Sequence, residues 1–383
     1  MTALQIKPPG LEQPLLRTMC FEDYPAVERL EASEGLSTTP ELEWRRFWLD
    51  NPLWPALRDR WPIGWVLEHH GAIVGAITNV PSRHVFRGRD LIAANGRAWV
   101  VAPSYRGFAL WLLDEYFNQE HADLFFNTTV NQLASETFHV LGSSRVPLGD
   151  WERAAYRVTC PTRFAASALR IKGVPGAGWL SWPAGVALWL KDRISAPAWP
   201  PLADGLTFAW SDGFDDRFDP FWNALARRDP RKLLAGRSRA ELSWHFAGPL
   251  QAGQLWVGTL SRTGKGTGAG ELLAYAVFKR QDHPHSGLTR MRLVDYQTIA
   301  LQADPLPGLI GEAGRRCARE RIAALELVGC DVPKTLAFDR LAPYRRRLPA
   351  WPYFYKATDP TLEIALADPG IWDPSSYDGD ASL

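Results

Sequence analysis

An apolar strand, a proline, an Arg-Gly pair and an apolar helix follow one another between Leu91 and Leu113, in the stretch LIAANGRAWVVAPSYRGFALWLL. A strand that leads into a helix in this way presents unpaired backbone N–H groups at the helix N-terminus, and the helix dipole adds partial positive charge there. Such a junction suits a phosphate or pyrophosphate group. The stretch is therefore the first candidate binding site of the chain.

A single carboxylate, Asp295, interrupts a later apolar strand pattern, LTRMRLVDYQTI, and Tyr296 follows it. A carboxylate in a partly desolvated cleft can act as a general base. A lone charged residue in such a strand can equally be a hydrogen-bonded structural group or face the solvent. The sequence leaves both interpretations open.

Three short patterns that could hold a ligand predict turns instead. The glycine-rich run 263–270, TGKGTGAG, lacks the order GxxxxGK(S/T) of a phosphate-binding loop and lies between two strand patterns. His69-His70 and the pair His283 and His285 each lie in a Gly-containing turn, where side chains are usually solvated. We expect no metal site.

Composition excludes several protein classes. The 383 residues predict two domains, since a single core seldom serves more than about 250–300 residues. Lys+Arg is 43 against Asp+Glu 42, so no basic surplus indicates a nucleic-acid partner. The four cysteines form no CxxC pair, which indicates neither zinc nor a disulfide framework and fits a reducing cytoplasm. The 18 Trp residues should line cores, a domain interface or an apolar pocket.

Neither a signal peptide nor a membrane-spanning helix is expected. The N-terminus lacks the basic and apolar regions of a signal peptide. The longest uncharged run, 173–190, barely reaches the roughly 18 residues that a spanning helix needs, and Pro175 and Pro183 interrupt it. A cytoplasmic protein without membrane contact is the expectation.

Residues 12–160 predict a strand, two helices, a three-strand meander, a helix, a strand, a helix and a closing strand. The meander is indicated by β-rich runs between Trp61 and Val101 that HHG and RGRD separate. Helices are expected at 21–32, 40–49, 106–119 and 131–142, and the closing strand in 146–159.

Residues 161–204 are rich in Pro, Gly, Ala and Trp, which indicates a connector. Its most apolar part, 179–190, predicts a helix docked on a domain surface or in shallow contact with a membrane. Residues 205–365 repeat the order of the first half, with a helix over 335–348 restarted at Pro343 and a closing strand in 349–358. The acidic tail, 366–383, is expected to be surface-bound or disordered.

The first half resembles the GNAT superfamily of acyl-CoA N-acyltransferases. The resemblance rests on IVGA at 73–76, VAPSYRG at 101–107 and the segment 131–142, and it covers residues 12–160. For residues 205–360 it rests on element order and on the ending WPYFYKAT. It implies an α/β fold with two tandem GNAT-like domains, each built on a mixed sheet.

In that family, backbone N–H groups of the motif R/Q-x-x-G-x-G/A hold the pyrophosphate of coenzyme A. Here Arg106 takes the first position, but Ala109 stands where the motif has Gly, and Trp111 where it has Gly or Ala. Without a ligand, Arg106 would cap a turn and Trp111 would be a core residue. The donor contacts that the resemblance implies are Val100, Val101, Arg106, Gly107, Phe108, Ala109 and Asn131.

The family's chemistry is direct transfer, in which a base deprotonates the amine and an acid protonates the leaving thiolate. Many members have a tyrosine four residues before the position of Gly142, but this chain has Phe138. Tyr105 and Tyr156 are the substitutes, with His139 a weaker one. Asp295 and Asn127 complete the candidate catalytic residues, Asp295 on the strand of the second half that corresponds to the last meander strand.

The resemblance therefore implies an N-acyltransferase that moves an acyl group, most simply acetyl, from acyl-CoA to a small-molecule or peptide amine without a metal. The second half lacks the R/Q-x-x-G-x-G/A motif, so the donor is expected on the first half and the acceptor near the interface. Two alternatives remain: a non-catalytic binding or scaffold protein of the same fold, and a membrane-surface acyltransferase of cell-envelope or polysaccharide assembly. The sequence leaves an oligomer open.

Overall fold

The computed structural model describes residues 12–128, 130, 132–148, 151, 153–262, 270–299, 304–328, 332–348 and 352–379. Two β-sheets organise this part of the chain. Each sheet contains a parallel pair of strands among antiparallel neighbours, which confirms the predicted α/β class with two mixed sheets. Asn131, an implied donor contact, lies outside the described residues.

The first half follows the predicted order of elements. A short 3₁₀ helix precedes α1, and another, Pro103–Phe108, joins β4 to α4. The elements are β1 (Leu15–Thr18), α1 (Tyr24–Ser33), α2 (Glu41–Leu49), α3 (Trp54–Leu57), β2 (Gly64–His69), β3 (Ala72–Phe86), β4 (Arg89–Val101), α4 (Ala109–Asn118), β5 (Leu124–Asn127), α5 (Gln132–Val140), β6 (Ser144–Arg145) and β7 (Arg153–Val158).

A helical hairpin connects the halves, and the second half then repeats the order of the first. The hairpin consists of α6 (Pro161–Ile171) and α7 (Ala177–Ser195). The elements that follow are β8 (Leu206–Ser211), α8 (Phe218–Arg228), β9 (Leu234–Ala235), α9 (Arg239–His245), α10 (Ala247–Gln251), β10 (Leu255–Arg262), β11 (Leu272–Arg280), β12 (Arg290–Thr298), α11 (Leu306–Arg319), β13 (Ala324–Leu327), α12 (Val332–Leu341), β14 (Tyr344–Arg347), β15 (Phe354–Ala357) and α13 (Pro360–Leu366).

The meander of β2, β3 and β4 forms as its turns predict. His70 and Gly71 both have positive φ angles of 48° and 77°, and Arg87 and Gly88 have 52° and 75°. Two consecutive residues of this kind make the tight turn whose twist matches that of an antiparallel hairpin. Strands β2, β3 and β4 pair accordingly.

The two sheets exchange their closing strands, contrary to the expectation that each half closes its own sheet. The first sheet has the order β1-β2-β3-β4-β5-β15-β6, with β9 paired to β3. The second has the order β14-β7-β13-β12-β11-β10-β8. Strand β7 thus pairs with β13 and β14, while β15 pairs with β5 and β6. Backbone pairing selects any strand with free hydrogen-bonding groups, however distant in sequence.

Two further expectations about the second half are wrong. After Pro343 the chain continues as strand β14 rather than as a helix, since proline cannot donate the backbone bond that would continue α12. The tail is neither surface-bound nor disordered over 375–378, where Ser375, Ser376, Tyr377 and Asp378 are each at most 5% exposed. Their buried partners lie in both halves, as described below.

Candidate functional site

Strands β4 and β5 diverge at the junction that the sequence singles out. They pair in parallel from Ala93 to Asn95, opposite Leu124 to Phe126. Strand β4 then continues to Val101, whereas β5 ends at Asn127. The β3–β4 register shifts near this point, and Ala98 has a φ of 53°, so β4 bulges there. From Gly96 onward, β4 has no described strand on its β5 side.

Two side chains reach across the divergence. The Asn127 amide donates to the carbonyl of Gly96 over 3.3 Å. The Trp99 indole N–H donates to the carbonyl of Ala109 over 3.2 Å, and its ring lies against Phe138 with centroids 6.0 Å apart. These contacts hold β4, β5 and the start of α4 in a fixed arrangement.

The segment between β4 and α4 is a 3₁₀ helix that leads directly into α4. No side chain caps the N-terminus of α4, whose N-cap residue is Phe108. Arg106 is largely exposed and lies 3.4 Å from the Glu34 carboxylate. Trp111 is partly buried and packs edge-to-face on Phe108, with centroids 4.9 Å apart. The Ala109 N–H of the first turn already donates to the Arg106 carbonyl, so an anion at this turn would use the N–H groups that follow it.

The two candidate tyrosines lie in different parts of the molecule, Tyr105 in the 3₁₀ helix before α4 and Tyr156 in the second sheet. The Tyr105 hydroxyl lies 2.6 Å from Nδ1 of His69, beside the β4–α4 junction. Tyr156 lies on β7, stacked on Tyr344 and Phe164, and burial raises its pKa. The structure thus brings Tyr105, and not Tyr156, to the junction.

Asp295 is a fully buried member of an ion-pair network. Its carboxylate lies 3.1 Å from Nε of Arg237, and the hydroxyls of Tyr275 and Ser375 donate to it over 2.6 and 2.7 Å. Burial would raise the pKa of Asp295, but the charge of Arg237 and these hydrogen bonds outweigh it, so the pKa is lowered. The arrangement is that of the hydrogen-bonded structural group rather than of a base.

Arg237 also holds the C-terminal segment. Its Nη2 lies 3.3 Å from the Asp378 carboxylate, whose pKa burial raises. The hydroxyl of Tyr377 donates to the carbonyl of Gly236, and a Cβ added at Gly379 would lie 2.3 Å from Cγ2 of Thr128. The segment therefore runs from the second sheet to the end of β5.

A cavity of about 320 Å³ lies between the halves. Its walls come from the α1–α2 connection and α2 on one side, and from α9, α10 and β11 on the other. Lining residues include Thr39, Glu43, Arg46, Phe47, Trp244, Gln254 and Lys279. Arg97 on the bulged part of β4 donates to Thr39 over 3.0 Å and lies 4.7 Å over the Phe47 ring. The cavity thus adjoins the divergence of β4 from β5.

Two titratable groups near Arg97 have strongly shifted pKa values. Burial raises the pKa of Glu31 to about 7, against the opposing charge of Arg97. Burial, together with the charges of Arg97 and Arg292, lowers the pKa of Lys279 to about 8. Glu31 is 7% exposed, and no described residue gives its carboxylate a hydrogen bond or an ion pair. A buried carboxylate that lacks a partner is uncommon and suggests a functional role.

Glu31 is the residue that sequence reasoning missed. It shares the buried face of α1 with Tyr24, Val27 and Leu30. A carboxylate at an apolar position of an amphipathic helix is the signal that could have identified it.

A smaller cavity of about 20 Å³ lies beside the C-terminal segment. The buried Nδ1 of His84 and Oδ1 of Asn95 line this region and have no partner among the described residues. The space suits one water molecule, which could satisfy both atoms. It is too small for a substrate.

One group of described residues, Glu12, His69 and His70, places three metal-type ligand atoms within 4.8 Å of one another. Glu12 and His70 are largely exposed, and Tyr105 occupies Nδ1 of His69. Nε2 of His70 and the Glu12 carboxylate, 3.1 Å apart, fit an ordinary surface contact. The turn predicted at His69-His70-Gly71 is present.

No protein-family profile matches the chain, and no curated protein matches it. Among solved structures, it is similar to a GCN5-related N-acetyltransferase from Anabaena variabilis, with a TM-score of 0.51 and 12% identity over 90% of this chain and 73% of that one. A conserved protein of unknown function from Enterococcus faecalis, a probable N-acyltransferase, gives 0.54 and 11% over 90% and 73%.

Saccharomyces cerevisiae N-myristoyltransferase, solved with bound myristoyl-CoA and inhibitors, gives a TM-score of 0.55 and 14% identity over 91% of this chain and 81% of that one. Each match spans about nine tenths of the chain and so includes both sheets. At identities of 11–14%, these structural matches establish the fold alone. The chain therefore has the fold of the GNAT superfamily of acyl-CoA N-acyltransferases.

Proposed function

We propose that the protein transfers an acyl group, most simply acetyl, from acyl-CoA to an amine. One observation carries the proposal: beyond Gly96, whose carbonyl Asn127 bonds, β4 has no described strand on its β5 side from Arg97 to Val101, and this bulged segment adjoins the interface cavity through Arg97. A donor laid along β4 and an acceptor in the cavity would meet at the bulge. No metal takes part in this transfer.

The donor would follow Val100 and Val101, with its pyrophosphate at the turn of Arg106, Gly107, Phe108 and Ala109. The uncapped N-terminus of α4 and the exposed guanidinium of Arg106 favour an anion there. Asn131 is proposed to contact the same ligand on the resemblance alone. The free Cys20, Cys160 and Cys317 agree with a cytoplasmic protein.

The acceptor would be a small-molecule or peptide amine in the interface cavity. A volume of about 320 Å³ accommodates a small metabolite or the end of a peptide. Glu43 can attract the amine, while Phe47 and Trp244 offer apolar contact. The cavity joins residues of both halves, so the second half shapes acceptor choice.

Glu31 is the proposed general base. An amine N–H proton passes to the Glu31 carboxylate, directly or through one water, while the nitrogen attacks the thioester carbon and the C–S bond breaks. The leaving thiolate takes its proton from the Tyr105 hydroxyl, which His69 positions. A base whose pKa lies near 7 accepts a proton efficiently at neutral pH.

Calorimetry with acetyl-CoA and with coenzyme A tests the donor site. We expect binding by the wild-type chain and loss of at least tenfold in affinity for Ala109→Asp, whose carboxylate would repel the pyrophosphate. Leu110→Asp, one residue further along α4 and 48% exposed, is the matched control and should bind normally. Absence of any binding heat at about 1 mM acetyl-CoA contradicts the proposal.

A non-catalytic binding or scaffold protein of the same fold is the second candidate. The reach of Trp99 and Asn127 across the divergence favours it, because both side chains occupy space beside β4. Thiol release from acetyl-CoA, measured with a panel of amines, separates the two candidates. Binding without thiol release for every amine supports the scaffold.

A further inference from the structure

The α6–α7 hairpin carries eight of the fifteen large apolar side chains that are exposed in the described chain. All eight lie between residues 171 and 194. Trp179 is 91% exposed, Trp182 69% and Trp189 48%. An apolar patch of this size is uncommon on a surface that only water covers. The eight are Ile171, Trp179, Leu180, Trp182, Val186, Trp189, Leu190 and Ile194.

An ordinary surface helix turns its apolar face inward, whereas α7 turns its large apolar side chains outward. Its buried position is Gly185, where an added Cβ would lie 2.8 Å from Thr162 on α6. Ala177, Ser181 and Asp192 are half-buried, whereas the tryptophans face outward. The small face of α7 thus docks on the chain, as one interpretation of the sequence predicts, and the large apolar face does not.

The hairpin is also basic. Residues 161–195 contain five basic side chains and one acidic, although the whole chain has a net charge of +1. The acidic one, Asp192, accepts a hydrogen bond from Tyr344. Lys172, Lys191 and Arg193 are exposed at the margins of the apolar face. An apolar face with a basic margin is complementary to an anionic lipid surface.

We propose that the outward face of the α6–α7 hairpin binds the surface of an anionic lipid bilayer, with Trp179, Trp182 and Trp189 at the headgroup level. Tryptophan prefers this interface because its ring is apolar while its N–H can still reach water or headgroups. No helix in the described part of the chain is long and apolar enough to cross a membrane. The hairpin therefore lies on the bilayer rather than through it.

A second copy of the chain fits the outward face of the hairpin less well than a bilayer does. A two-fold interface pairs each patch with itself, which would bring ten basic groups and two acidic ones together without counter-charges from the partner patch. An anionic bilayer supplies those counter-charges instead. The proposal does not depend on acyl transfer.

Vesicle flotation of the full-length chain tests the proposal. We compare phosphatidylcholine vesicles with vesicles that contain about 30% phosphatidylglycerol. The wild-type chain should float with the anionic vesicles, and Trp179→Ser/Trp182→Ser/Trp189→Ser should reduce its partitioning at least tenfold. Lys172→Gln/Lys191→Gln/Arg193→Gln should remove the preference for anionic vesicles.

The matched control replaces three exposed apolar side chains elsewhere, in the variant Leu42→Ser/Leu49→Ser/Ile364→Ser, and should float like the wild type. Thermal unfolding verifies that each variant is folded. Failure of the wild-type chain to float, or equal flotation of the tryptophan variant, overturns the proposal. A dimer in solution that the tryptophan variant abolishes, with no flotation, assigns the face to a second copy instead.

Discussion

The parallel strand pairs β4–β5 and β12–β13 both diverge beyond their last paired residues, but different groups lie in the two gaps. Beside β4, side chains of the described residues occupy the divergence: Asn127 and Trp99 cross it, and the Tyr116 hydroxyl donates to the carbonyls of Ala94 and Phe126 where it begins. Beside β12, the C-terminal segment enters: the backbone N–H of Tyr377 donates to the Val294 carbonyl, and the Ser376 hydroxyl to that of Val328, each over 2.9 Å. The second divergence is thus filled by a distant segment of the chain, whereas in the described part of the chain no backbone segment enters the first.

The largest expected effect on stability comes from removing the C-terminal segment that lies between β12 and β13. Deletion of residues 374–383 removes the hydrogen bond of Ser375 to Asp295 and the Asp378 charge beside Arg237. We expect the free energy of unfolding to fall by more than about 4 kcal/mol, measured by urea denaturation. Deletion of residues 381–383 alone serves as the control. A cost below about 1 kcal/mol for the longer deletion would show that the segment is dispensable.

Arg237→Met tests the ion-pair network that anchors this segment. It leaves Asp295 and Asp378 buried without their counter-charge, so we expect a loss of about 3–5 kcal/mol. Arg231→Met, at an exposed ion pair with Asp229, should cost less than about 1 kcal/mol. Equal costs would mean that burial does not matter here.

The same variant predicts a pH dependence. Asp295 has a lowered pKa when folded, so its contribution is present at neutral pH and disappears as the pH falls through the acid range. Arg237→Met lacks this contribution throughout. The stability difference between the two proteins should therefore narrow on acidification, and a difference that widens would contradict the assignment.

Glu31→Gln examines the neighbourhood of the first divergence, where the Glu31 carboxylate feels the charge of Arg97 but receives no hydrogen bond or ion pair from a described residue. The folded pKa of Glu31, about 7, lies above its ordinary value, so stability is lost as the pH rises toward and through 7. At pH 8 the variant should be more stable than the wild type by about 3 kcal/mol, and near pH 4 the two should be equal. Glu22→Gln, at an exposed position, should match the wild type at both pH values.

If Glu31 is the base, the more stable variant is also the less active one. Thiol release by Glu31→Gln should fall by about 10²–10⁴-fold with an accepted amine. A variant that gains stability and keeps full activity would reduce Glu31 to a strained structural residue.

The smallest effect on stability is expected at Asn127, whose side chain crosses the gap between β4 and β5. Asn127→Ala removes the hydrogen bond to the Gly96 carbonyl and should cost about 1 kcal/mol. Asn118→Ala, which removes an exposed bond to Asp114, should cost less than about 0.5 kcal/mol. A loss above about 3 kcal/mol at Asn127 would make the first divergence as structural as the second.

Local patterns predict the elements well because their causes are local. The two turns of the meander are readable from His70-Gly71 and Arg87-Gly88, whose backbone conformations set the hairpins. The strand-to-helix junction after β4 and the apolar character of β12 around Asp295 are equally local. The resemblance to acyltransferases rests on 73–76, 101–107 and 131–142, and solved structures at 11–12% identity agree with it in fold.

Partners that are far apart in sequence could not be predicted. Asp295 stands out in its strand, but its counter-ion Arg237 is 58 residues earlier and Ser375 is 80 residues later. The exchange of β7 and β15 between the sheets is likewise decided by which strand edges remain free. An acidic, aperiodic tail is predicted to be surface-bound or disordered because its composition does not show the buried arginine that receives it.

The amino-acid sequence by itself therefore determined most of the order of strands and helices, the α/β class and the junction beside Arg106. Only the tertiary structure decided that Asp295 is a structural ion-pair member, that Glu31 faces Arg97 and that the tryptophans of α7 point outward. The physical reason is range: periodicity and turn geometry act over a few residues, whereas burial and charge pairing depend on what the whole chain brings together.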